Sequence, residues 1–260
     1  MFRLFRRLRQ RLLFNRKFSK YLLYAVGEIL ILIFGILIAL QVNNWNEERK
    51  RGDLEIVLLR AIKSDLEKDL LTCRGDIVIH QMQVTSSNII LDYLSSDLNF
   101  HDSLNYHFLA TCNYTLTDYN SASYETLKSL GVGLVSNDTL RNDLIYMYDG
   151  YQKFMTTSRK LLPELVNEAH ITLFPTHFEQ GDDYELTLDE YTEPILETEE
   201  EMGTMVPLDY EDLKKDVAYL YFLKTQRNRN DIYINCLEFF EKQLIELIEN
   251  VEDEISKLER

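Results

Sequence analysis

The run YLLYAVGEILILIFGILIALQV, Tyr21 to Val42, limits the fold of this chain more than any other stretch. It is twenty-two residues long and carries a single charge. As a helix rising 1.5 Å per residue it extends about 33 Å, enough to cover a hydrocarbon core of about 30 Å. It therefore predicts one transmembrane helix. A cleaved signal peptide also has a basic front and an apolar run, but that run is roughly 7 to 15 residues and ends at a small-residue cleavage site. Here the run exits into Gln41-Val42-Asn43-Asn44-Trp45, with no such site. The expected element is an uncleaved anchor in contact with the lipid bilayer.

The flanks set an orientation. Residues 1–20 hold eight basic side chains (Arg3, Arg6, Arg7, Arg9, Arg11, Arg16, Lys17, Lys20) and no acidic one. After the run, Glu47 and Glu48 nearly balance Arg49, Lys50 and Arg51. The positive-inside bias then puts a basic N-terminus, 1–20, in the cytoplasm and the chain from about residue 43 outside, with 43–53 as a juxtamembrane connector. Tyr21 and Tyr24 fall where aromatic side chains sit at the inner membrane interface, and Trp45 does so at the outer one. Phe2, Phe5, Leu8 and Leu12 recur at helical spacing among the arginines, so surface anchoring is a plausible addition to the topology-setting role of those charges. Residues 53–260 carry 40 acidic and 17 basic side chains, a net of −23. Such a surface repels phosphate backbones, so no nucleic-acid partner is expected.

Glu28 lies inside the run. Moving the boundary past it would leave Ile29 to Val42, fourteen residues, where crossing takes about 18 to 20. A carboxyl at that depth calls for protonation or a partner. Positions 28, 32, 35 and 39 share one helical stripe, so Glu28 lies in line with Gly35 and Ala39, a pair of small residues that lets another helix approach closely. Glu28, Gly35 and Ala39 are the expected packing face toward a second copy or another membrane protein.

These residues also carry a resemblance. Lys20-Tyr21-Leu22-Leu23-Tyr24-Ala25-Val26-Gly27-Glu28-Ile29, then Gly35-Ile36-Leu37-Ile38-Ala39-Leu40-Gln41-Val42-Asn43-Asn44-Trp45-Asn46-Glu47, resembles the signature of an uncharacterised single-pass membrane family of Bacteroidota, domain of unknown function 6090. Ser123-Tyr124-Glu125-Thr126-Leu127-Lys128-Ser129-Leu130-Gly131, leading to Ser136-Asn137-Asp138-Thr139-Leu140-Arg141, resembles a second segment of that family. The resemblance implies a bacterial inner (cytoplasmic) membrane protein with a periplasmic helical domain. It implies no activity and no catalytic residue.

Gly and Pro number 9 and 4, well below average usage, which favours helices over turn-rich β folds. The expected fold is all-α: an N-terminal single transmembrane helix followed by an extracytoplasmic bundle of long antiparallel helices, residues 54–260. Leu59, Ile62, Leu66, Leu70, Cys73 and Ile77 mark one helix from Leu54 to about Leu94. Arg49 to Gly52 either hinges it or lets it continue from the membrane. Short helices follow near Ser103–Thr111 and Ala122–Leu130, the latter capped by Gly131. A long helix from about Asn137 to Ala169, with Asn137 or Ser136 as N-cap, shows Leu140, Leu144, Met147, Tyr151 and Phe154 on one face and a kink at Pro163. Asp209 opens a stretch running to the C-terminus, with a break expected at Gln226–Asp231. In it Leu237, Phe240, Leu244, Leu247, Val251 and Leu258 follow heptad spacing, with Glu254 as the mismatch.

The chemistry-bearing signals are sparse. Walker, zincin, nucleophile-elbow and C-x-x-C motifs are missing, and Gly131-Val132-Gly133 reads as a helix cap rather than a phosphate loop. His101 with Asp102 and His107, or His170 with His177, lacks ligand spacing. Cys73, Cys112 and Cys236 leave open one disulfide in an oxidising compartment. No catalytic, cofactor-binding or metal-ligating residue is expected. The expected function is a membrane-anchored periplasmic interaction or scaffold protein, oligomeric or accessory to a sensor. The alternative is a periplasmic enzyme or metal-binding protein using the acidic segment 179–201 of the loop 179–207, which holds eleven carboxylates and no basic residue.

Overall fold

A computed structural model describes residues 16–114, 118–158, 160–179 and 205–260, and the chain divides into two units, Met1–Glu55 and Ile56–Arg260. Residues 1–15 and 180–204 lie outside the described residues, and with them most of the basic N-terminus and nearly all of the acidic segment. The first helix, α1, spans Arg16–Ser95. Its residues 16–55 form the described part of the first unit. Residues 43–53 are helical, and the only helix breaker among them is Gly52, which costs a helix about 1 kcal/mol. Within them the Asn43 amide donates to the Glu47 carboxylate at 2.9 Å, one turn on.

The second unit is organised by residues 56–95 of α1 and by α9, Val217–Leu258. Between them, in chain order, come α2 (Leu104–Ala110), α3 (Ala122–Leu130), α4 (Asp138–Ile145), a π-type stretch (Tyr146–Gln152), α5 (Lys153–Ser158), α6 (Leu161–Thr172), α7 (Phe174–His177) and α8 (Tyr210–Leu213). β1 (Phe178–Glu179) pairs antiparallel with β2 (Val206–Pro207), tying together the two ends that flank residues 180–204. α1 and α9 run antiparallel, because contacts climb one as they descend the other. Lys63 meets Glu252 at 3.2 Å, Arg74 meets Glu241 at 2.6 Å, His80 meets Asn230 at 2.5 Å and Ser87 meets Gln226 at 2.8 Å.

Both long helices bury one stripe at alternating spacings of four and three. On α1 it reads Leu59, Ile62, Leu66, Asp69, Cys73, Asp76, His80, Gln83, Ser87, Ile90, Leu94; on α9, Tyr219, Leu223, Gln226, Asn230, Tyr233, Leu237, Phe240, Leu244, Leu247, Val251, Glu254. Two apolar cores result. One joins the stretch Leu58–Cys73 of α1 to Tyr233–Ile255 of α9 through α3, α4 and α5. The other joins Ile90 and Leu94 to Tyr219–Leu223 through α2, α6, α7 and the β pair, with Phe108, Phe174 and Phe178 among its rings. Between the cores lies a buried polar band. Ser87 Oγ lies 2.8 Å from Gln226 Oε1 and 2.9 Å from the Gln83 carbonyl, the Gln83 amide donates to the Asn113 carbonyl at 2.8 Å, and burial holds the His80 imidazole below its ordinary pKa.

Four sequence expectations need correction. Leu70 and Ile77 are only half buried, and the inward positions beside them belong to Asp69 and Asp76. The helix expected over Asn137–Ala169 is interrupted: Asn137 does cap it, accepting from the Thr139 and Leu140 N–H groups, but the π-type stretch follows, and helix ends at Ser158 and restarts at Leu161. Pro163 therefore sits in the first turn of α6, where a missing N–H costs no intrahelical bond, and does not kink a continuous helix. In the last stretch the break falls at Lys214–Asp216, where the Asp216 carboxylate accepts from the Tyr219 N–H at 2.6 Å and starts α9. The polar run Gln226–Asp231 stays helical because Gln226 and Asn230 face the polar band instead of an apolar surface.

Candidate functional site

The π-type stretch borders an exposed apolar groove of the second unit. Through α4 and into the stretch the inward positions are Leu140, Leu144 and Met147; through the rest of the stretch and into α5 they are Tyr148, Gln152 and Met155. An i+5 turn adds one residue per turn and so shifts the inward face by one position. In an uninterrupted α-helix Tyr151 and Phe154 would continue the Leu140 face. Here they turn toward a groove along α9. Gln152 holds the shifted register, donating its amide to Asp69 Oδ2 at 2.9 Å and to the Asn120 carbonyl at 3.2 Å. Asp69 also accepts from the Asn120 backbone N–H at 2.8 Å and side-chain amide at 2.7 Å. Burial raises the Asp69 carboxyl to about 6, although these donors pull the other way.

The groove has a volume of about 630 Å³ and is walled by Tyr151, Phe154 and Met155 on one side and Ile232, Cys236, Phe239 and Phe240 on the other. Ile232 is 65% exposed, Tyr146 61%, Phe154 55% and Phe239 49%. Tyr151 packs edge-on against both Tyr146 (4.6 Å between ring centres) and Phe239 (5.3 Å). Tyr146 and Tyr151 also line a smaller adjoining pocket with Asp143, Gln243, Glu246 and Asn250, so the apolar trough ends in two carboxylates. The Tyr151 phenol is raised by partial burial, by its hydrogen bond with Tyr146 and by nearby Glu246. A second opening of about 430 Å³, lined by Tyr124, Asp149 and Lys153 among others, is polar, and there Lys128 already pairs with Glu125 at 3.0 Å and Asp149 at 3.3 Å.

The residues picked out from sequence are elsewhere. Glu28, Gly35 and Ala39 lie on α1 in the first unit, all exposed, with nothing within 4 Å of a Cβ built on Gly35. Tyr24 and Trp45 are exposed on the same helix, and the Tyr21 side chain lies outside the described residues. All three cysteines are free; burial pushes the thiols of Cys73 and Cys112, one in each core, up to about 12, far from reactivity. His101 contacts Ser103 at 2.8 Å, His107 contacts Ser86 at 3.0 Å, His170 packs on Phe174 and His177 meets Asp216 at 3.2 Å. Among the described residues no three His, Cys, Asp or Glu side chains are placed to hold a metal ion. The groove itself was not anticipated. Its available signals were Gly150 in a helical stretch and the second α9 stripe of Ile232, Cys236, Phe239, Gln243, Glu246 and Asn250, which also alternates four and three.

These features define a class of protein: a helical bundle whose first helix contains, near the N-terminus, a stretch long and apolar enough to cross a membrane. A family model described as "Family of unknown function (DUF6090)" matches residues 28–174, and the chain belongs to that family. No curated protein and no solved structure matches it.

Proposed function

We propose that this chain is a membrane-anchored helical interaction protein. In this reading Tyr21–Val42 spans the bacterial inner membrane, residues 1–20 are cytoplasmic and the bundle stands in the periplasm, holding a partner rather than turning over a substrate. The observation that carries it is the groove, where four large apolar side chains stand about half or more exposed along one trough. Contiguous exposed apolar surface of this kind marks association sites. The stripe of Glu28, Gly35 and Ala39 supplies a further contact within the membrane, to a second copy or another membrane helix. A photoreactive residue replacing Phe239 should yield a discrete cross-linked product in intact cells. One replacing Tyr221, which is 69% exposed away from the groove, should not. Equal products from both positions, or none from Phe239, would overturn the proposal.

A further inference from the structure

The groove changes character along its length, and this polarity selects an occupant. On α9 the groove stripe is apolar at Ile232, Cys236 and Phe239 and polar at Gln243, Glu246 and Asn250. The opposite wall follows the same order, with Phe154 and Met155 at the apolar end and Asp143 at the other. Neither Asp143 nor Glu246 forms an ion pair among the described residues, so both charges are available to a ligand. From Phe239 to Glu246 is seven residues, about 10 Å along the helix axis.

We infer that the groove takes a basic amphipathic helix of a partner protein, its apolar side chains against Phe154, Ile232 and Phe239 and a Lys or Arg two turns further along against Asp143 and Glu246. This rests on the docking reading above and adds the chemistry of the partner. Apolar anchors at i, i+3 and i+4 are what a helix lays into such a trough, and a cation there gains both carboxylates and the faces of Tyr146 and Tyr151. A second copy of the bundle is a poor occupant, because residues 53–260 carry a net of −23 and would bring like charge to the acidic end.

The test uses the full chain in phosphatidylcholine nanodiscs and a labelled helical peptide with Leu and Phe at i, i+3 and i+4 and Arg at i+7 and i+11, read by anisotropy against empty discs. Saturable binding is expected. It should weaken at least tenfold when the peptide's Arg residues become Gln, weaken similarly in the Asp143→Asn/Glu246→Gln variant, and vanish in Phe154→Ser/Phe239→Ser. Asp97→Asn/Asp102→Asn, which removes the same charge from exposed positions elsewhere, should bind as wild type. Equal binding of the Arg and Gln peptides would overturn the basic partner while leaving docking intact. Equal weakening by the two charge variants, or no saturable binding, would also overturn it, and the Phe239 cross-link would still report on docking by itself.

Discussion

Phe239 and Phe240 are adjacent in sequence and both edge the groove, yet they lie on two different stripes of α9. Phe240 lies on the stripe that α9 presses against α1 and is 1% exposed, with the Tyr119 ring edge-on at 4.9 Å. Phe239 lies on the neighbouring stripe, half exposed, against the Tyr151 ring. Both stripes repeat at four and three, so spacing alone does not say which is sealed. The sealed one is opposed by a complementary stripe of α1. The other is opposed by a helix whose register the π-type stretch has shifted, leaving rings beside it but space between. The contrast teaches that the open apolar surface follows from one extra residue in a turn, held by the polar knot of Asp69, Asn120 and Gln152.

The widest separation between the two surfaces should come from paired truncations. Phe240→Ala removes a fully buried ring and should cost about 3–5 kcal/mol of unfolding free energy, seen as a large drop in melting temperature. Phe239→Ala should stay within about 0.5 kcal/mol of wild type. A similar loss at both sites would erase the distinction.

The knot gives a pH signature. The Asp69 carboxyl binds its proton more tightly folded, at about 6, than unfolded, at about 3.8. Its contribution is therefore fully present below about pH 4 and is lost as pH rises through about 6. Asp69→Asn does not titrate, so between about pH 4 and pH 7 the wild type should lose up to about 3 kcal/mol relative to the variant. His80, held low by burial, acts with the opposite sign, losing stability as pH falls below its ordinary value, and it cancels in that comparison because both proteins contain it. A flat difference between the two melting curves across this range would contradict the buried, desolvated Asp69.

A smaller effect is expected where the sealed stripe admits a charge. Glu254 is 7% exposed and accepts from the Asn137 amide at 2.8 Å, with Lys257 at 3.3 Å. Glu254→Ala leaves that amide without its acceptor and should cost about 1–2 kcal/mol, whereas Glu254→Gln, which keeps an acceptor, should cost less. Equal losses would mean that the contact with Asn137 contributes nothing.

Much of the sealed surface was legible in the sequence. The heptad over Leu237–Val251, the caps at Asn137 and Gly131 and the short helices near 104 and 122 all follow from periodicity and capping chemistry. What was hidden was hidden by polarity. Asp69, Asp76, His80, Gln83 and Ser87 occupy inward positions of α1, so an apolar-periodicity reading slides to Leu70 and Ile77, one residue off the true stripe. Likewise Glu254 reads as a heptad error until Asn137 is seen across from it. The groove was hidden for another reason. A π-type turn has no strong local signature, and Tyr151 and Phe154 look like core residues at perfect α-helical spacing. The membrane-helix contact of Glu28, Gly35 and Ala39 is a sequence-level proposal, and Glu28→Gln should lower the yield of cross-linked oligomer if it joins copies of this chain.

The most direct measurement is the Phe154→Ser/Phe239→Ser variant of the full chain, followed by thermal melting and by the amount of cross-linked partner recovered from intact cells through a photoreactive residue at Ile232. The account predicts an unchanged or slightly raised melting temperature together with loss of the cross-linked product. A lowered melting temperature with the product intact would mean that these rings belong to the core, and would contradict a docking groove.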